Sequence, residues 1–207
     1  MASNDWRAAL DAVADEWALD SAAIEALAIY LEQLGRWNRV HNLTAVRDPE
    51  QWIPRHILDS LTLRPYLQGG RVLDVGTGAG LPGFILAATE RERAFCLLDS
   101  AAKRIRFLRN VIGLTGLSGV EALHSRIEDF HPEALYTTVL SRAFKAPAEM
   151  LDRVGHTVAP GGRVLAMLGQ RRVVDDPLPA PWSYHRVDPV TIPGEMAERH
   201  VAIIERA

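Results

Sequence analysis

The sequence predicts an α/β fold, a mostly parallel sheet with helices on both faces behind an N-terminal helical extension. Three observations predict it. Ile24, Leu27, Leu31 and Leu34 recur at helical spacing, and Trp37 and Val40 continue the pattern. After Gly69-Gly70, short apolar runs alternate with amphipathic ones, as expected of a sheet covered by helices. Between the first such strand and the first such helix stands a glycine loop, Asp74-Val75-Gly76-Thr77-Gly78-Ala79-Gly80-Leu81-Pro82-Gly83.

The elements follow in order. Asp20 and Ser21 are candidate N-caps for the first long helix. Asn42 and Thr44 mark a break, and Pro49 opens a short helix through Leu61. Strands are predicted at 72–75, 95–98, 120–123 and 138–141, and a fifth at 163–168 after a Pro160-Gly161-Gly162 turn. Helices are predicted at 81–89, at 101–114 and after Pro147. Pro177, Pro179 and Pro181 predict a loop. Two β-like runs, 184–192 and 200–204, are split by Pro193-Gly194 and should form an antiparallel pair closing the sheet edge. The chain divides into a helical extension, residues 1–65, packed on a core, residues 66–207.

Composition excludes several classes. The 207 residues have room for one such domain with a modest extension. A lone cysteine, Cys96, excludes an internal disulfide and a cysteine-rich zinc site, so no metal is expected. No apolar window reaches membrane-spanning length, and the N-terminus lacks a basic region followed by an apolar one. The expected location is the reducing cytoplasm. With a net charge of −3, nucleic-acid binding must come from a local basic patch.

Gly78, Gly80 and Gly83 satisfy the dinucleotide fingerprint, a weak signal alone. Asp74 would repel a pyrophosphate, and Pro82 lacks an N–H in the turn that should bind one. A carboxylate there suits a cationic ligand that carries no phosphate. S-adenosylmethionine, with its sulfonium and ammonium groups, is such a ligand. Asp99, at the end of the second strand, can accept from a ribose diol or cap the next helix. Glu128, after the third strand, can accept from an adenine amino group.

On the acceptor side, Cys96 lies inside a strand, against carbon-5 pyrimidine methylation. The segment Ser141-Arg142-Ala143-Phe144 replaces the acid/amide-Pro-Pro-aromatic turn of exocyclic amine methylation. A ring nitrogen with a free lone pair, such as guanine N7, needs neither device. Arg142 is expected at the cleft end of the fourth strand, on the donor's carboxylate, an RNA phosphate or guanine O6. It would position groups rather than move protons. Arg104, in the first turn of the second core helix, should project over the sheet's rim with Arg47, Arg55 and Arg142 to face RNA. Lys103, Arg106 and Arg109 lie on that helix's opposite face. His56 is a candidate base, although packing is the commoner role for a lone helical histidine.

Together these residues resemble a known family, the bacterial 16S ribosomal RNA guanine-N7 methyltransferases (the glucose-inhibited division protein B family). The resemblance runs through Trp37-Asn38, Asn42-Leu43-Thr44-Ala45, Arg55-His56-Ile57-Leu58-Asp59-Ser60-Leu61 and the glycine loop. It continues through Leu98-Asp99-Ser100, Lys103-Arg104-Ile105-Arg106-Phe107-Leu108, Ser125-Arg126-Ile127-Glu128 and Ser141-Arg142-Ala143-Phe144. It implies a class I (Rossmann-like) S-adenosylmethionine-dependent methyltransferase fold with a mostly parallel seven-stranded sheet. It also implies S-adenosyl-L-methionine as donor and 16S rRNA, or the small ribosomal subunit particle, as partner. Gly76 and Leu81 would touch the donor, Ile127 and Glu128 would flank its adenine, and Arg142 would join the donor site. Lys103 would join the RNA-facing residues. A monomer that needs no membrane is expected. One departure is Leu168-Gly169-Gln170, where the family usually has Lys-Gly-Gln; Arg171 or Arg172 is a candidate replacement for that lysine. The alternatives are a methyltransferase for another RNA or a small nucleophile, a nicotinamide-dependent dehydrogenase, and a non-enzymatic RNA-binding module.

Overall fold

The computed structural model describes residues 5–142, 146–169, 177–193, 195 and 198–206. Two N-terminal helices, α1 (Asp5–Ala14) and α2 (Ser21–His41), lead into a seven-stranded sheet. Asp20 caps α2 by accepting from the Ala23 N–H at 2.6 Å. Asn42 ends α2 in the left-handed conformation, φ 49°. The single helix expected from Pro49 to Leu61 is instead three pieces: a 3-10 turn Pro49–Gln51, a π-helical stretch Ile53–Leu58 and the short α3 (Asp59–Leu61). Pro54 has no N–H to give a regular ladder, which disfavours one continuous α-helix here.

The core runs β1 (Arg71–Val75), α4 (Gly83–Thr89), β2 (Ala94–Asp99), α5 (Ala102–Thr115), β3 (Val120–His124), β4 (Tyr136–Ser141), α6 (Pro147–Val154) and β5 (Val158–Leu168). Then come β6 (Trp182–Val190) and β7 (Arg199–Arg206). The order across the sheet is β3-β2-β1-β4-β5-β7-β6. The first five strands pair in parallel, and β7 pairs antiparallel with both β5 and β6. The tail is thus the antiparallel pair the sequence predicts. The strand order reverses between β1 and β4, which opens a crevice beyond their carboxyl ends.

Pro160-Gly161-Gly162 is not a turn into β5 but lies within it. The strand stays paired because the register with β4 shifts between Tyr136 and Thr138. Gly161 takes φ +69°, and a Cβ on Gly162 would sit 2.9 Å from the Ala159 carbonyl oxygen. The glycines therefore permit an irregularity rather than a stop.

The extension and the core share one apolar cluster. Leu27, Leu31 and Leu34 of α2 join Phe84 of α4 and Phe107, Leu108 and Val111 of α5. The Tyr30 ring stacks on Phe84 at 5.0 Å between centroids, and Trp37 meets Phe107 edge-on at 5.7 Å. On α5, Ile105, Phe107, Leu108 and Val111 are buried while Lys103, Arg106 and Arg109 are exposed, as their spacing requires. No described helix is long and apolar enough to cross a membrane.

Candidate active site

The glycine loop fills the gap between β1 and α4. Gly76, Gly78 and Gly80 all take positive φ, which glycine adopts without strain. A Cβ on Gly80 would lie 2.7 Å from Leu108 and 2.8 Å from Phe84. A Cβ on Gly83 would lie 2.5 Å from Leu97 and 2.6 Å from Asp74. These two glycines are packing requirements. Gly78 differs, because its Cβ would meet only the Gly76 carbonyl oxygen, at an ordinary 3.9 Å. The buried Tyr30 hydroxyl donates to the Ala79 carbonyl at 2.9 Å, so the extension holds the loop from behind.

Asp74 is buried, and its Oδ2 accepts from the Thr77 hydroxyl at 2.6 Å and the Gly83 N–H at 2.8 Å. Its Oδ1 is buried without a hydrogen-bond partner. Burial pushes its carboxyl up to about 6. Half of this carboxylate thus shapes the loop, a role the sequence reading did not give it.

Asp99 closes the loop from β2. Its Oδ2 accepts from the Gly78 N–H at 2.9 Å, and its Oδ1 accepts from the Ala101 N–H at 2.8 Å, ahead of α5. Arg104 donates to the same Oδ2 at 3.2 Å. Arg104 therefore reaches back to the acid that holds the loop. A cavity of about 160 Å³ opens beside these groups, lined among others by Gly76, Asp99, Ser100, Ile127, Glu128 and Arg153. Glu128 is exposed and paired with Arg153 at 2.8 Å. Its carboxyl is held below the usual range, first by a backbone N–H and then, less strongly, by Arg153.

Across the crevice, Arg142 leaves the end of β4. Its Nη2 lies 3.2 Å from Oδ2 of Asp59, a buried carboxylate of α3. Arg199, at the start of β7, approaches Oδ1 of Asp59 at 3.5 Å. Burial raises the Asp59 carboxyl, and Arg142 and then Arg199 pull it back. Sequence reasoning missed Asp59 and Arg199 as partners. Their only signal was a buried acid within an apolar helical motif.

His56 is buried beneath Arg55. Its Nδ1–H donates to the Arg55 carbonyl at 3.0 Å, so Nε2 accepts from the Thr44 hydroxyl at 3.1 Å. Thr44 in turn accepts from Val46 N–H and donates its own backbone N–H to Asn38. Burial lowers the imidazole to about 4, with Arg142 and Arg55 contributing less. A neutral, doubly engaged ring is no proton acceptor near pH 7.

The remaining RNA-facing candidates have separate partners. Arg47 donates to Asn42 at 3.4 Å, and Lys103 donates to the His41 carbonyl at 3.2 Å. Arg55 sits 4.0 Å from Glu195. Lys103 thus ties the end of α2 to the first turn of α5, one residue from Arg104 and the Asp99 cavity. Leu81 packs against the shared apolar cluster. Leu168 is buried, and Gln170, Arg171 and Arg172 lie outside the described residues. No group of acids, histidines and cysteine among the described residues could hold a metal.

A loop of this kind at the switch point, with acids ending β1 and β2, fits a nucleoside ligand but names no substrate. The family profile GidB, described as rRNA small subunit methyltransferase G, matches residues 23–201. The chain belongs to this family. The ribosomal RNA small subunit methyltransferase G of Idiomarina loihiensis is 41% identical over 91% of this chain and 92% of its own length. The protein of the same name from Yersinia enterocolitica is 45% identical over 85% of this chain and 86% of its own. A SAM dependent methyltransferase structure from Aquifex aeolicus is similar at TM-score 0.60 and 16% identity, covering 80% of this chain and 97% of that one. TrmN from Thermus thermophilus is similar at TM-score 0.56 and 22% identity, over 72% of this chain and 48% of that one. These structures share the fold, the class I methyltransferase fold. The GidB-family chain is accordingly a methyltransferase.

His56 and Asp74 give the protein opposed pH dependences. His56 is lowered from 6.5 to about 4. Its contribution to stability is present above pH 6.5 and lost as pH falls through 4, an effect of order 3 kcal/mol. Asp74 is raised from 3.8 to about 6. Its contribution is present below 3.8 and lost as pH rises through 6, and the raised Asp59 acts in the same direction. His56→Gln removes one side of this balance. Denaturant unfolding of both proteins between pH 4 and 7 should show wild type gaining stability relative to His56→Gln as pH rises. A difference that does not change with pH would contradict the buried, neutral imidazole.

Proposed function

We propose that this chain transfers a methyl group from S-adenosyl-L-methionine to N7 of a guanosine in 16S ribosomal RNA of the small subunit. Family membership supports the RNA substrate. The N7 assignment is supported by the state of the three groups the sequence offers there as base, nucleophile and positioning residue. His56 is neutral and fully engaged, and the Cys96 thiol is buried within β2 and pushed up to about 12 by burial. Arg142, just after β4, carries a guanidinium, which donates hydrogen bonds and accepts none. An acceptor that must first lose a proton would find no base in His56, Cys96 or Arg142. Guanine N7 carries no proton.

The residues present fit the donor. Gly76, Gly78, Gly80 and Leu81 form its cradle, and the partnerless Oδ1 of Asp74 is an acceptor suited to an ammonium. Asp99 retains lone pairs for a ribose hydroxyl, while Ile127 and Glu128 flank an adenine. When bound, the donor supplies an electrophilic methyl on its sulfonium. The chain's own part is to orient: Asp99 fixes the loop through Gly78, and Asp59 steers the Arg142 guanidinium toward the crevice. Arg47, Arg55, Lys103, Arg104 and Arg142 would bind the RNA. The protein would act in the cytoplasm as a monomer.

The test is methylation of unmodified small subunits, and separately of naked rRNA, with isotopically labelled donor, followed by mapping of the modified atom. Label on another atom, or on no RNA, would sink the proposal. Single-turnover rate should also stay nearly flat across neutral pH, with no bell. An ionisation near neutrality that vanishes in His56→Ala, with donor and RNA still bound, would require proton transfer and overturn the N7 assignment.

A further inference from the structure

Asp59 is an unusual place to spend a carboxylate. Its side chain is only 4% exposed, yet it meets arginines from two distant strands, Arg142 after β4 and Arg199 opening β7. Burying a charge between elements is costly unless it is paired, and here two arginines approach the one carboxylate. Arg55 and Glu195, 4.0 Å apart nearby, offset each other. Among the described residues, two guanidinium groups thus meet one carboxylate at Asp59.

Both arginines face a cavity of about 180 Å³, distinct from the one beside Asp99. Asp59, Thr62, Arg142, Gly169, Arg199 and His200 line it. Arg142 spends one terminal nitrogen on Asp59, and its side chain remains 34% exposed. Arg199 holds Nε 3.5 Å from Asp59 as an ion pair, donates Nη1 to the Glu198 carbonyl at 3.2 Å, and remains 31% exposed. Both forks thus keep N–H donors for a ligand. Nδ1 of His200 is buried at the same cavity without a hydrogen-bond partner. A Cβ on Gly169 would meet nothing within 4 Å, so a ligand can approach the backbone there. Thr62 donates its hydroxyl back to the Asp59 carbonyl and stiffens the acid's own turn.

We propose that Arg142 and Arg199, set on either side of Asp59, form a binding site for a backbone phosphate of the substrate RNA, apart from the donor cavity. The proposal rests on the RNA-methyltransferase reading above. Two guanidinium forks around one anion form short, charge-assisted hydrogen bonds. Asp59 acts as a positioning residue: it partly neutralises the pair so that both can sit close, and it fixes their angle. Arg199 also supplies a cation beside Leu168, which lies opposite His200 in the β5–β7 register.

The test compares wild type with Arg199→Ala for binding of labelled unmodified 16S rRNA at several salt concentrations. Loss of one phosphate contact should weaken binding about tenfold at low salt and reduce the log–log salt slope by about 0.7. Affinity for S-adenosylhomocysteine should not change. Arg199→Lys should restore the slope and part of the affinity, because a point charge replaces a fork. Should Arg199→Ala fail to fold, Arg199→Gln, which can still donate to Asp59, carries the same expectation. Unchanged RNA affinity and slope, or donor affinity falling in step, would overturn the site. A reduced slope with a wild type that methylates no RNA would keep the phosphate site and sink the guanine reading instead.

Discussion

Gly78→Leu is expected to abolish binding of S-adenosylhomocysteine in calorimetry, a loss of about a hundredfold or more, while the protein still folds. The residue takes φ +61°, so any side chain there carries backbone strain of order 1 kcal/mol. That cost alone should not unfold the domain. The added Cβ would meet only the Gly76 carbonyl oxygen, and the atoms beyond it would lie beside Asp99, where the ribose is proposed to sit. Gly83→Leu is the control with the opposite outcome. Its first added carbon meets Leu97 at 2.5 Å and Asp74 at 2.6 Å, so it should lower the melting temperature sharply. If Gly78→Leu binds the ligand normally, the donor does not lie over this loop.

Asp74→Ala should cost about 3–5 kcal/mol of stability and eliminate donor binding. The substitution strips the acceptor from the Thr77 hydroxyl and the Gly83 N–H, both held by one oxygen in a buried setting. Asp74→Asn separates the two roles of this side chain. Its amide oxygen can still accept from Thr77 and Gly83, so the loop should survive. The oxygen proposed to receive the donor's ammonium becomes an N–H donor, and affinity should fall at least tenfold. Thermal melts and donor titrations on the two variants measure these effects. Equal donor affinity in wild type and Asp74→Asn would leave Asp74 a purely structural role.

Local signals were legible in the sequence. The glycine loop announced a strand, a turn and a helix, and the Asp20 cap and the apolar face of α5 could be read from spacing. These features depend on residues within one or two turns of each other. The Pro160-Gly161-Gly162 segment was misread because a breaker motif specifies a local irregularity. Only the neighbouring strand decides whether pairing resumes across it. The π-helical turn was invisible for a related reason: Pro54 forbids a regular ladder without saying what replaces it.

The site divides the same way. Asp74, Asp99 and Arg142 were identifiable from their positions at strand ends. The second oxygen bond of Asp99 to Arg104, the Thr44–His56 link and the Asp59–Arg199 approach were not. Each joins side chains whose proximity depends on tertiary packing. His56 shows the limit most clearly. Its identity suggested a base, and only its burial and its two engaged nitrogens remove that role.

The order of strands at the sheet's far side has a consequence for how the protein is made. β7 lies between β5 and β6, although it follows both in the chain. During synthesis β5 emerges with a bare edge, and β6 emerges with no strand beside it. In the finished sheet neither pairs with the other, because β7 occupies the place between them. A nascent chain therefore carries an open, apolar β5 edge until Arg199–Arg206 arrives, the condition in which foreign strands are captured. A chain cut short before β7 would lose two strands from the sheet, not one. It would also lack Arg199, so the same late event that seals the edge delivers the second arginine to Asp59.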